Sequence, residues 1–150
     1  MTKRAMAQPR SAYRHFTRLD TRWMDNDVYG HINNVVYYSY FDTAVNRYLI
    51  DAQALDINNG DVIGLVVQTQ CHYFEPLAFP QALEAGLSVS HVGRTSVHWD
   101  VGLFAAEAQA TAAAGHFVHV YVDRATRRPV ALPPALLVAL QSIRSLRSAT

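Results

Sequence analysis

The chain has 150 residues, half of them apolar, with 13 basic and 12 acidic side chains and a net charge of +1. That length gives one domain with a sizeable core, and the balanced charge argues against a dedicated nucleic-acid surface. A single cysteine excludes an intrachain disulfide framework and a multi-cysteine zinc site.

No apolar run reaches the roughly 18 residues of a membrane span, and the opening Met-Thr-Lys-Arg-Ala-Met-Ala-Gln-Pro-Arg has no apolar signal core. The expectation is a soluble, cytoplasmic, globular protein with neither a nucleic-acid nor a membrane partner. Residues 1–11 are polar and basic, contain Pro9, and read as a flexible tail. Residues 12–150 read as the single domain.

Positions 17–23 alternate, with Thr17, Leu19, Thr21 and Trp23 on one side and Arg18, Asp20 and Arg22 on the other, which predicts a strand. It runs into a polar knot, Asp25-Asn26-Asp27-Val28-Tyr29-Gly30-His31-Ile32-Asn33-Asn34. A helical pattern follows over 35–49, its buried face formed by Tyr37, Phe41, Ala44, Val45, Tyr48 and Leu49. Asn33 or Asn34 is the expected N-cap. Asn58-Asn59-Gly60-Asp61 marks a turn. Strands are predicted at 62–75, 83–90, 95–104 and 115–123, with an alanine-rich hairpin loop at 105–114 and a turn over 124–134. A short amphipathic helix is expected at 136–146. Short links between consecutive strands favour antiparallel pairing. The expected class is α+β, an antiparallel sheet wrapped around one long central helix.

The knot has two readings. In the first it is a capped turn, with Asp25 and Asn34 satisfying backbone groups. In the second, Asp27 stands before a helix N-terminus whose unpaired N–H groups hold an anion or stabilise an oxyanion. Asp27 then attacks as a nucleophile or deprotonates a water. Gly30 lets the backbone turn tightly or approach a ligand.

Other constellations fall away. Asp25, Asp27 and Gly30 fit positions one, three and six of a calcium loop, but Tyr29 and Val36 stand where ligands are needed. Ser96, His98 and Asp100 are triad residue types, but on one strand face they stand roughly 7 Å apart. His116 and His119 fall on opposite faces, His72 has no spaced partner, and no metal site emerges. Cys71 reads as a structural thiol in an apolar strand. Arg94-Thr95-Ser96, after Gly93, is either a solvated turn or a phosphate contact, and Arg124, Arg127 and Arg128 share that ambiguity.

The run Arg22-Trp23-Met24-Asp25-Asn26-Asp27-Val28-Tyr29-Gly30-His31-Ile32-Asn33-Asn34-Val35-Val36-Tyr37 resembles the signature of the hotdog-fold acyl thioesterases. That group holds 4-hydroxybenzoyl-CoA thioesterase-like enzymes and acyl carrier protein (ACP) thioesterases. Tyr73-Phe74-Glu75-Pro76, Gly93-Arg94-Thr95-Ser96 and Val122-Asp123 are further landmarks, so the resemblance covers about residues 13–133.

The resemblance implies a hotdog fold and hydrolysis of an acyl thioester, with coenzyme A entering only as part of the substrate and no other cofactor. It makes Asp27 the nucleophile or general base and the Asn34 N–H, or a neighbour's, the oxyanion donor. It sets His31 near the thioester. Acyl-ACP thioesterases carry an Asn two residues after the Asp; Tyr29 stands there, which tilts the expectation to acyl-CoA. Tyr37, Tyr40 and Phe41 are candidates to line the acyl pocket, with plain core the alternative for Phe41. Arg94, with Thr95 and Ser96, is the candidate contact for the nucleotide phosphates. The resemblance also implies a homodimer or homotetramer with sites between subunits, the partner contributing through 62–73. Two other readings are a hydratase or dehydratase with His31 as base, and a non-catalytic acyl-thioester binding domain.

Overall fold

A computed structural model describes residues 4–146. Its elements are β1 (His15–Asp20), α1 (Val36–Asp51), β2 (Val62–Tyr73), β3 (Ala82–Val92), β4 (Ser96–Ala105), β5 (Ala113–Asp123) and α2 (Pro134–Ser142). The five strands form one sheet in the order β1-β3-β4-β5-β2, and every neighbouring pair is antiparallel. The α+β expectation of a sheet around one long helix is met.

Alternation along the central strands sets which side meets α1. Leu83, Ala85, Leu87 and Val89 of β3 share the core with Val97, Trp99, Val101 and Leu103 of β4. From the helix, Phe41, Ala44, Val45 and Leu49 complete it. Gly115 of β5 faces the helix directly: a Cβ there would overlap the Gln70 carbonyl and crowd the Phe41 ring. On the other side of the sheet, Gly86 and Gly102 leave room for the Tyr13 ring.

That outer packing corrects the expected tail. From Gln8 onward the segment is tied down: the Gln8 N–H donates to Thr111 Oγ1 at 2.8 Å, and Arg10 pairs with Glu84 at 2.8 Å while stacking on Phe104. Residues 1–3 of that tail lie outside the described residues. Element boundaries also differ. The first strand ends at Asp20 because Trp23–Asp25 tightens into a 3-10 turn. The second ends at Tyr73. The C-terminal helix begins at Pro134, a residue suited to the first turn, and ends at Ser142. Beyond it the chain leaves the helix and pairs with β3, where the Val89 N–H donates to Ile143 O and the Ser145 N–H to Val89 O.

The knot is fastened to α1 by Asp25, whose carboxylate is 1% exposed. It accepts from Tyr40 Oη at 2.7 Å, the Arg22 N–H at 2.9 Å and Arg22 Nε at 3.1 Å. Its carbonyl accepts the Asn33 N–H at 2.9 Å. One residue thus joins the end of the first strand, the turn and the helix. Burial by itself pushes the Asp25 carboxyl up, but the hydrogen bonds from Tyr40 and Arg22 outweigh it and hold the group below its ordinary value.

Asp25→Ala leaves the Tyr40 hydroxyl buried without its acceptor, at a cost of about 1–3 kcal/mol. A depressed native pKa stabilises above the unfolded value, about 3.9, and that contribution is lost as pH falls through the native pKa. Urea melts should therefore separate wild type from Asp25→Ala fully at neutral pH, with the gap narrowing below about pH 4. Gly115→Ala should cost about 1–3 kcal/mol through overpacking, read as a lowered Tm.

Candidate functional site

The knot closes as a small antiparallel ladder. Asn26 bridges Ile32, the Asp27 N–H donates to His31 O at 2.8 Å, and the Gly30 N–H donates to Asp27 O at 3.1 Å. Gly30 takes φ +82°, the left-handed region that a side chain disfavours. Asp27 Oδ1 accepts the Tyr29 N–H at 2.9 Å. One carboxylate oxygen is thereby held by the turn, and among the described residues the other has no partner.

Beyond the turn the N–H groups are spent one after another. Ile32 donates to Leu77 O at 2.7 Å, Asn33 to Asp25 O, Val36 to Asn33 O at 2.9 Å and Tyr37 to Asn34 O at 3.4 Å. Val35 donates to Asn33 Oδ1 at 3.1 Å. The cap residue is Val35, and the capping oxygen comes from Asn33 rather than Asn34. Among the described residues, the Asn34 N–H alone in the run 32–37 has no acceptor. Its peptide plane is fixed, because the Asn33 carbonyl on the opposite edge accepts from Val36. A trans peptide sets N–H and C=O on opposite sides, so this N–H points back from the helix body.

Asp27, His31, Asn34 and Tyr37 line one open cavity of about 440 Å³. The sequence-predicted residues that come together are these four, with Gly30 shaping the turn between them. Its remaining walls include Tyr29, Tyr73, Phe74 and Glu75. Glu75 is a second carboxylate on the same cavity. From sequence, Tyr73 to Pro76 is a landmark of the resemblance that closes a strand, with Tyr73 in the segment expected to serve a partner's pocket and Glu75 given no part in the site. The available signal was that an aromatic, an acid and a proline stop a strand together.

Other expected residues lie elsewhere. Tyr40 is buried with its hydroxyl committed to Asp25, so it braces the knot and does not line the cavity. Phe41 is fully buried core. Arg94, Thr95 and Ser96 sit at the far end of the sheet. Ser96 pairs with Val120 and Tyr73 with Ala113, so the two ends are about 23 Å apart at the usual strand rise. Within one chain these three do not reach the cavity.

The rejected constellations resolve in the same way. Asp100 pairs with His116 at 2.7 Å rather than with His98, a bond that raises the His116 pKa. His119 is buried, which pushes its pKa down to about 4 and keeps it neutral. Burial pushes the Cys71 thiol up to about 11, as suits a structural residue. Among the described residues no group of three or more His, Cys, Asp or Glu side chains is placed to hold a metal ion. Among them also, no helix is long and apolar enough to cross a membrane.

Comparison with known proteins adds the family. The family model of the thioesterase-like superfamily matches residues 21–140. No curated protein matches the chain. Among solved structures, the PA5185 protein from Pseudomonas aeruginosa is 50% identical, covering 95% of this chain and 100% of that one, with a TM-score of 0.93. Slr0204 from Synechocystis, a 1,4-dihydroxy-2-naphthoyl-CoA thioesterase, is 18% identical over 84% of this chain and 94% of its own, TM-score 0.76. The DHNA-CoA thioesterase from Staphylococcus aureus is 17% identical over 85% and 89%, TM-score 0.76. At such identities the last two speak to the fold alone. The matched region holds the whole knot, all of α1 and the four strands that follow, and the chain belongs to the thioesterase-like superfamily, as a thioester hydrolase of the hotdog fold.

Proposed function

We propose that the chain is an acyl-CoA thioesterase with its reacting centre in the Asp27–Asn34 cavity. The observation that carries this is the meeting of an uncommitted carboxylate oxygen and an uncommitted helix N-terminal N–H on one cavity. The thioester carbonyl oxygen accepts from the Asn34 N–H, which strengthens as negative charge develops. The positive end of the α1 dipole acts in the same sense. Asp27 attacks the carbonyl carbon, expelling the coenzyme A thiolate and leaving a mixed anhydride that water hydrolyses. In the alternative, Asp27 takes a proton from a water that attacks instead. His31, on the same cavity, faces the thioester end of the substrate. Coenzyme A as carrier is supported by Tyr29 at the position where acyl-ACP enzymes hold Asn.

The proposal includes a homo-oligomer. β2 is a sheet edge of 12 residues, with Leu65, Val66 and Val67 exposed along it. A long apolar edge offers its unpaired backbone to another strand, and a second copy pairing there stands beside Tyr73 and the cavity. Arg94, Thr95 and Ser96 then meet a bound nucleotide only from another subunit.

Thiol release from short, long, branched and aromatic acyl-CoAs tests the function. Wild type releases thiol. Asp27→Asn loses roughly 10²–10⁴-fold in kcat with an unchanged thermal melt. Full activity in that variant sinks the assignment, and release from acyl-ACP alone replaces the carrier. Sedimentation of wild type gives a dimer or larger species; a stable monomer contradicts the edge pairing.

A further inference from the structure

We propose that Tyr73 is a positioning residue, which aims the Asn34 N–H by holding the peptide next to it. The inference rests on the thioesterase reading above and goes beyond it by assigning a role to the last residue of the edge strand. Tyr73 Oη donates to the Asn34 carbonyl at 3.0 Å. Among the described residues that carbonyl has one other donor, the Tyr37 N–H, at a long 3.4 Å. The Tyr73 ring stands edge-on to Tyr37, the second residue of α1, with centroids 4.8 Å apart and planes at 86°.

Two consecutive peptide planes flank Asn34, and each has its own anchors. The plane carrying its N–H is held through the Asn33 carbonyl by Val36. The plane carrying its carbonyl is held by Tyr73 and, through the Val35 N–H, by Asn33 Oδ1. With both planes fixed, the two dihedrals of Asn34 are fixed, and with them the direction of its N–H. The donor is thus aimed before substrate arrives, which is where electrostatic catalysis gains most. Without the Tyr73 hydroxyl the Asn34 carbonyl keeps only the long Tyr37 bond, and its plane is otherwise held from the Val35 edge alone, by Asn33 Oδ1, so the first turn is held less firmly. Burial and the neighbouring Cys71 raise the Tyr73 pKa, which keeps the phenol a donor at neutral pH.

A group that aims the oxyanion donor acts on the transition state more than on the bound substrate. Tyr73→Phe, which keeps the ring, should lower kcat about tenfold, below the roughly 10²–10³-fold of losing an oxyanion donor outright. KM should stay within about twofold, since ground-state binding is untouched. The pH–rate profile should keep the wild-type shape, since no titrating group is removed, and the thermal melt should not move. Tyr73→Leu, which removes ring and hydroxyl, separates the alternatives. Positioning predicts that Phe already shows most of the kcat loss. A packing role predicts a harmless Phe and a damaging Leu, with a lowered melt, and overturns the proposal. Loss of one limb of the pH profile in Tyr73→Phe also overturns it, because that marks Tyr73 as an acid or base. Absence of thiol release by wild type, by contrast, removes the thioesterase reading itself and this role with it.

Discussion

The structure turns on one buried carboxylate. Asp25 takes hydrogen bonds from the chain before the knot, through Arg22, and from the helix after it, through Tyr40. Its own carbonyl takes the Asn33 N–H. A charge this deeply buried is tolerated only when its oxygens are satisfied. Here the partners that satisfy it are the segments that must be brought together, so stability and site geometry share one origin. Asp27, two residues on, has one carboxylate oxygen held by the Tyr29 N–H and, among the described residues, no partner on the other.

The remainder of the site follows from hydrogen-bond accounting. Backbone groups near a helix start must find partners or face a ligand or water. Leu77, Asp25 and Asn33 absorb the N–H groups around Asn34. Among the described residues of this run, what is left over is the Asn34 N–H, on the same cavity as the Asp27 carboxylate, with aromatic walls from the helix start and the end of β2. The sheet contributes by bringing the end of β2 to the start of α1, because β2 sits at the edge beside β5 and runs antiparallel to it.

Much of this was legible in the sequence, for definite reasons. Period-two alternation from Val97 to Leu103 and the helical spacing of Phe41, Ala44, Val45 and Leu49 are direct consequences of burial on one side, and they fixed the class and element order. The knot stood out because acids, glycine and asparagines before an apolar helix need a purpose. Tyr40 was misread because helical spacing says that a residue points inward, not whether it meets a cavity or a buried acid. The distance of Arg94 from its own chain's cavity was not legible because sequence places it at a strand start but not at which end of the sheet. The place of Tyr73 and Glu75 on this chain's own cavity was not legible because it depends on the register of β2 against β5, a long-range fact. The docking of Gln8 and Arg10 was hidden for the same reason, since Thr111 and Glu84 are distant in the chain.

The most direct test follows the backbone amides of the isotope-labelled protein as a ketone analogue of an acyl-CoA, with CH₂ in place of the thioester sulfur, is added. The account predicts that the Asn34 amide proton moves strongly downfield as it takes up the carbonyl, while the committed amides of Ile32, Asn33 and Val36 move less. Binding of the analogue with the Asn34 amide unmoved would contradict the account.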